Sequence, residues 1–152
     1  MTANSAPAEP RDIAGELIGR LILAFGEMEN QVSLCLHRLA ATPEFALFTP
    51  IADSLVLKQK LDILNEMVAA RSADTPACWD EFVRWYRPLR RLRRRRDGIV
   101  HGYWDSEIGA LRPMKFKKHP TMTRSLAELR EECRRAEALR ESFRGWRERW
   151  LV

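Results

Sequence analysis

The sequence predicts an all-α protein, an antiparallel bundle of about four main helices with a short hairpin or irregular excursion before the last. Three observations carry that prediction. Apolar residues recur at steps of three and four through four separate stretches. A start signal stands ahead of each stretch: Asp12, Ser54, Thr75-Pro76 and the segment 121–125. The composition, 45% apolar and 31% charged with seven glycines, suits packed helices rather than a disordered or collagen-like chain. A length of 152 residues fits one core, so residues 12–152 are read as a single domain behind a flexible tail over 1–11.

The tail, MTANSAPAEPR, is small, polar and proline-containing and gives a helix nothing to bury. Asp12 then stands at an N-cap position before Ile13, Leu17, Leu21, Phe25, Met28, Val32, Cys35 and Leu39. That spacing predicts one long amphipathic helix ending near Ala41. Thr42-Pro43 breaks it, and residues 44–51 form an apolar connection with room for a short turn of helix. Ser54 caps a second helix carrying Leu57, Leu61, Leu64 and Val68 as far as the polar stretch 71–74. Thr75-Pro76 opens a third, with the proline at the first helical position.

The apolar face of that third helix is Trp79, Phe82, Val83, Tyr86, Leu89, Leu92, Ile99 and Val100. Pro88 inside the pattern predicts a kink rather than a stop, and Gly98 and Gly102 place the helix end close to His101. From Tyr103 to Lys118 the helical period is lost, which is where the hairpin or irregular excursion is expected. The last helix then carries Leu126, Leu129, Cys133, Ala136, Leu139, Phe143, Trp146 and Trp150 on one stripe. Its two tryptophans are expected to cover the bundle or a second subunit.

The net charge of +5 conceals two opposite halves. Residues 1–83 hold six Lys/Arg and twelve Asp/Glu, a balance of −6; residues 84–152 hold twenty and nine, a balance of +11. The basic half can attract phosphate, or the acidic half can neutralise it when the chain folds. Cys35, Cys78 and Cys133 are far apart, odd in number and without the paired spacing of a zinc or redox motif. They read as buried thiols of a reducing compartment. No basic-then-apolar leader opens the chain, and the apolar run from Leu21 to Phe25 is far too short to cross a bilayer. A cytoplasmic protein with no membrane partner is expected.

Seven of the ten residues 87–96 are arginine, on the helix that closes in Arg96-Asp97-Gly98-Ile99-Val100-His101. Arg90, Arg93 and Arg94 are candidate phosphate contacts, and Tyr103 and Trp104, just after the motif, are candidates to stack on a base. Plainer readings stay open beside these: a solvated helix face paired with the acidic half, and an aromatic pair that belongs to core or interface. Because the run winds round the helix, some of its arginines must face inward and need a carboxylate or a ligand there. Glu29 is the one acid in the stripe Ile18, Ile22, Phe25, Glu29, Val32, Leu36 and needs a cation. Arg96 or another inward arginine is the expected partner, which gives Glu29 a supporting role.

Asp97 and His101 are i,i+4 neighbours on a helix, so the carboxylate can accept from the imidazole and fix its tautomer. Arg96 lies about 140° from His101 around the axis. The two therefore flank one ligand from the edges of a face, or from two subunits meeting at a two-fold axis. A histidine at a helix C-terminus is also favoured by the macrodipole alone. His37, His101 and His119 show no metal-ligand spacing with nearby carboxylates.

Arg96-Asp97-Gly98-Ile99-Val100-His101 resembles the R-x4-6-H motif of the HEPN superfamily, including the polar residue after the arginine. His101-Gly102 continues in the style of its bacterial members. The resemblance implies a helical bundle, mostly dimeric, acting as a metal-independent endoribonuclease or toxin without a cofactor. It implies Arg96 and His101 as the catalytic pair, Asp97 at the family's polar position, and the motifs of a homodimer gathered at the interface. The partners it implies are RNA and, for a toxin, an antitoxin protein. An imidazole serves as base for the ribose 2′-hydroxyl or acid for the leaving oxygen, while guanidinium stabilises charge on the scissile phosphate. Two alternatives remain: a non-catalytic module binding a nucleotide, nucleic acid or protein through the same helix, and a structural role in which Arg96 and Asp97 clamp a dimer.

Overall fold

The computed structural model describes residues 8–40, 45–113 and 123–151. Five helices and one antiparallel pair of strands follow in the order α1 (Pro10–Ala40), α2 (Phe45–Ser54), α3 (Leu57–Arg71), α4 (Pro76–Val100), β1 (Gly102–Asp105), β2 (Ala110–Pro113) and α5 (Leu126–Trp150). The protein is all-α, and long helices packed on one another make its core. None of the described helices is long and apolar enough to cross a membrane.

The α1 helix starts at Pro10, three residues ahead of the Ile13 start that an N-cap at Asp12 implies. The Glu9 carbonyl accepts the N–H groups of Asp12 and Ile13 at 2.9 and 3.1 Å, and Pro10, which has no N–H, loses nothing at the first helical position. Pro10 and Arg11 therefore belong to the helix, while residues 1–7 of the expected tail lie outside the described residues, as does Thr42-Pro43. The connection that follows holds a full ten-residue helix, α2, with Pro50 inside it. The Ser54 hydroxyl donates to the Ile51 carbonyl at 2.7 Å and so closes α2 instead of capping α3. The cap of α3 comes from within it: the Gln59 side chain accepts the Val56 N–H at 3.1 Å.

The start of α4 is as the sequence indicates, with Thr75 at the N-cap and Pro76 behind it, and the helix continues through Pro88 to Val100. Ser125 and Glu128 begin α5 with reciprocal bonds: the Glu128 N–H donates to Ser125 Oγ at 3.2 Å, and the Ser125 N–H to Glu128 Oε2 at 2.8 Å. The Ser125 N–H first, and after it the Ser125 hydroxyl, which donates to the same Oε2 at 3.1 Å, hold the Glu128 carboxyl below its usual range. In the excursion, β1 pairs with β2 from Gly102 opposite Pro113 to Asp105 opposite Ala110. Its turn is fixed by Asp105 Oδ1, which accepts the Glu107 N–H at 3.0 Å, and by Gly109 at φ +58°.

Helix direction follows from which residues meet. Arg20 pairs with Glu137 at 2.7 Å and Arg38 reaches the Leu151 carbonyl at 2.9 Å, so α1 and α5 run the same way. Glu29 meets Lys60 and the Leu39 carbonyl meets Arg71, so α3 runs with them. By contrast, α4 runs the opposite way against α5, since Glu81 meets Arg149 near one end and Arg95 meets Glu132 near the other. The antiparallel contacts of the bundle thus belong to α4, and α2 carries the chain back between the parallel α1 and α3.

One core joins these helices. The expected stripe of α1 is buried at Leu17, Leu21, Phe25, Met28, Val32, Cys35 and Leu39. Along α4 and α5, Phe82, Trp85, Phe143 and Trp146 are packed ring on ring, with Trp85 and Phe143 stacked at 4.0 Å. The Trp146 indole N–H donates to the Cys78 carbonyl at 3.2 Å and the Trp150 indole to Glu81 at 3.2 Å, so both tryptophans of α5 cover the bundle itself. Cys35 and Cys133 are buried and Cys78 is half-buried; burial pushes the Cys35 thiol up to about 12.

Candidate functional site

The motif occupies the last turn of α4. Leu89, Leu92 and Ile99 are buried and fix that half of the helix in the bundle. His101 is the C-cap residue, its N–H donating to the Asp97 carbonyl at 3.2 Å, and its imidazole is exposed. The hairpin begins at the next residue. A Cβ on Gly102 would lie 2.9 Å from the Arg112 carbonyl oxygen and 3.0 Å from the Leu111 side chain, so this position needs glycine for the hairpin to close on the helix end. At Gly98 the same atom would meet nothing within 4 Å. Gly102→Ala is expected to destabilise the fold by about 1–3 kcal/mol through overpacking, and Gly98→Ala to stabilise it by about 0.5–1 kcal/mol. Urea denaturation of the two variants checks this, and the same sign for both would contradict it.

Arg96 is turned toward α1. Its guanidinium lies over the Phe25 ring at 5.3 Å, and its Nε is 3.3 Å from Asp97 Oδ1. That contact is an ion pair without hydrogen-bond geometry, so the buried Nε–H has no acceptor. Asp97 is drawn to arginines on both sides, with Arg93 at 3.9 Å as well as Arg96. The hydrogen bond expected between the Asp97 carboxylate and His101 is not formed, because two guanidinium groups compete for the carboxylate and the backbone cap turns the imidazole to solvent. Nor does any contact join Arg96 to His101 among the described residues of this chain.

Glu29 pairs with Lys60 of α3 at 3.0 Å and not with Arg96. The reason is helix placement: α3 packs beside α1 at this level, while Arg96 meets α1 one turn earlier, at Phe25. The stripe read through Glu29 is also not wholly inward, since Ile22 is 43% exposed. Lys60 is the buried member of the pair, at 6% exposure. Removing its counter-charge leaves a buried ammonium poorly compensated, so Glu29→Ala should lower stability by about 1–3 kcal/mol. Lys60→Met, which removes the charge and keeps the shape, should cost less. Thermal denaturation of both variants tests the order, and a larger loss for Lys60→Met would contradict it.

The other expected contacts divide by surroundings. Arg94 is exposed and has no partner among the described residues. Arg90 lies over the Tyr86 ring at 5.5 Å, and Arg93 is half-buried beside Asp97. Tyr103 is exposed at 47%, whereas Trp104, its neighbour on the strand, is half-buried against the core. Alternation along β1 thus separates the aromatic pair. Among the described residues none of the seven arginines in 87–96 forms an ion pair with a carboxylate of the acidic half, and Arg90 acts on Asp62 only through its longer-range charge: Arg95 takes Glu132 of α5, and Arg93 and Arg96 take Asp97. The acidic half is used elsewhere, Glu27 on Arg140 and Glu81 on Arg149.

Two exposed arginines that the sequence reading left out, Arg87 and Arg91, also lack a partner among the described residues. Their i,i+4 spacing and the step of three to Arg94 were the available signal. Among the described residues no three His, Cys, Asp or Glu side chains are placed to hold a metal ion. His119 lies outside the described residues. No family model, curated protein or solved structure matches the chain.

Proposed function

We propose that the chain is a metal-independent endoribonuclease of the HEPN kind, a cytoplasmic toxin or defence component whose site pairs His101 of one copy with Arg96 of another. The observation that supports this reading is the state of the two groups: an imidazole standing exposed at the end of α4, and a guanidinium that keeps a buried N–H without an acceptor. In the reaction, the imidazole takes the proton of a ribose 2′-hydroxyl as its oxygen attacks the adjacent phosphorus. The bond to the departing ribose oxygen breaks, and the imidazolium so formed gives its proton to that oxygen, which restores the neutral base. Arg96 stabilises the charge that grows on the phosphate between these events. Homodimerisation supplies both groups to one phosphate, and an antitoxin protein is the partner that would restrain the activity.

The test is cleavage of RNA in the presence of EDTA by wild type, His101→Ala and Arg96→Ala. Loss of cleavage in both variants supports the assignment; equal cleavage by all three identifies a contaminant. One observation favours a second reading: within the chain, Arg96 is held by Asp97 and Phe25, away from His101. A non-catalytic module that binds RNA or a partner through the basic helix needs no closer approach. Salt-sensitive binding without any product selects it.

A further inference from the structure

The outward face of α4 carries charge that the fold does not neutralise. Arg87, Arg91 and Arg94 are exposed, and none has a carboxylate, ring or backbone partner among the described residues. Their neighbours are engaged: Arg90 with Tyr86, Arg93 and Arg96 with Asp97, Arg95 with Glu132. At 3.6 residues per turn the three free arginines and His101 fall within an arc of about 80° and span about 21 Å of helix axis. That arc faces away from the buried Phe82, Trp85 and Leu89. Gly98 continues the line with no side chain, and the space over it is open; Asp97, which flanks the line between Arg94 and His101, has its charge taken up by Arg93 and Arg96.

We propose that this line is a track for the backbone of single-stranded RNA, one that delivers the strand to His101 with its phosphates held by Arg87, Arg91 and Arg94. The proposal rests on RNA being the ligand of the Arg96/His101 site. Like charges three and four residues apart on a helix repel one another, so stability gives no reason for this arrangement and a polyanion does. The guanidinium fork takes phosphate oxygens through paired hydrogen bonds. One line of cations on a convex face matches one flexible backbone, whereas an A-form duplex offers a helix only a narrow, deep groove.

Beside the line, Arg91 also lines an open groove of about 400 Å³ between α4 and α5. Its lining includes Leu92 and Leu139, its other cations are Arg95 and Arg135, and no carboxylate lines it. A base that leaves the strand at Arg91 therefore meets apolar surface and no repelling charge.

The experiment measures binding of a short end-labelled oligouridine across a salt series, with the His101→Ala protein so that the strand stays intact. Each phosphate neutralised on a single strand contributes about 0.7 to the slope of log affinity against log salt. The triple variant Arg87→Gln, Arg91→Gln, Arg94→Gln should flatten the slope by about 2. The control triple Arg11→Gln, Arg130→Gln, Arg144→Gln removes the same charge elsewhere and should leave it unchanged. Lysine at the three track positions should keep the slope, and the glutamine triple should melt no lower than the parent, which separates lost contacts from lost folding.

An unchanged slope in the glutamine triple, an equal loss in the control triple, or no binding at all overturns the track. Tighter binding of a duplex, or of an oligoglutamate of equal charge, does so as well. Cleavage by the His101-containing proteins is scored in parallel. Strands bound with the steep slope and never cut leave the track standing and remove the nuclease reading. Strands cut normally by the glutamine triple at an unchanged slope do the reverse.

Discussion

Replacing Trp85 with alanine is expected to lower the free energy of unfolding by about 3–5 kcal/mol, in the range of large aromatic truncations in packed cores. The side chain is 1% exposed and stacks on Phe143 at 4.0 Å, with Phe82 at 5.6 Å on its other side. It therefore links α4 to α5, and no flexible neighbour stands ready to fill the space. For a chain of this size each kcal/mol moves the melting temperature by about 2–4 °C, so a fall of about 6–20 °C is expected by circular dichroism. Trp85→Phe gives the contrast. The indole N–H is buried without an acceptor, so phenylalanine keeps a ring in the stack while removing an unsatisfied donor. Its loss should be much smaller, about 1 kcal/mol. Equal losses for the two variants would mean that the stack is not what holds α4 to α5.

The second large effect is catalytic and falls on the motif. His101→Ala is expected to reduce RNA cleavage in EDTA by about 10²–10⁴-fold, the usual range for a positioned acid–base group. Its stability should stay within about 0.5 kcal/mol of wild type, because the imidazole is exposed and only the backbone of His101 closes α4. Arg96→Ala should lose cleavage by about 10²–10³-fold and also lose stability, since its guanidinium covers Phe25 and its charge holds Asp97. Single-turnover cleavage beside thermal melts separates the two behaviours. A His101→Ala protein that still cleaves, or one that melts far below wild type, would assign the histidine to the scaffold.

How much of this was legible depends on whether the signal is local. The stripes of α1, α4 and α5 recur in the sequence at helical spacing, Thr75-Pro76 places a proline in the first turn of α4, and Ser125 with Glu128 is a cap made by neighbours in the chain. Those elements stand where the pattern placed them, apart from the earlier start of α1 at Pro10. Residues 45–54 are largely apolar, follow the break at Thr42-Pro43 and carry Pro50 in the middle, so the stretch reads as a connection with room for one turn rather than as the ten-residue helix α2. Trp85 sits on the core face of α4 between Phe82 and Leu89, yet the stripe read from the sequence stepped past it to Tyr86.

The partner of Glu29 was not legible for a different reason. The need for a cation follows from the stripe, but which cation arrives is decided by α3 lying alongside α1, a fact of tertiary packing. In the motif, local chemistry pointed to an Asp97–His101 bond that two nearby arginines prevent. The unpaired line Arg87, Arg91, Arg94 was present in the spacing, but its neutrality or freedom is settled only by where every carboxylate of the acidic half ends up.

The central claim is that Arg96 and His101 act on one phosphate although no contact joins them within one chain. Mixing inactive His101→Ala with inactive Arg96→Ala tests it most directly, because a mixed two-fold dimer regains one site that holds both native groups. Random exchange makes about half the dimers mixed, so cleavage should recover to about a quarter of the wild-type rate. A mixture that exchanges subunits and stays inactive, beside a wild type that cleaves, would contradict the composite site.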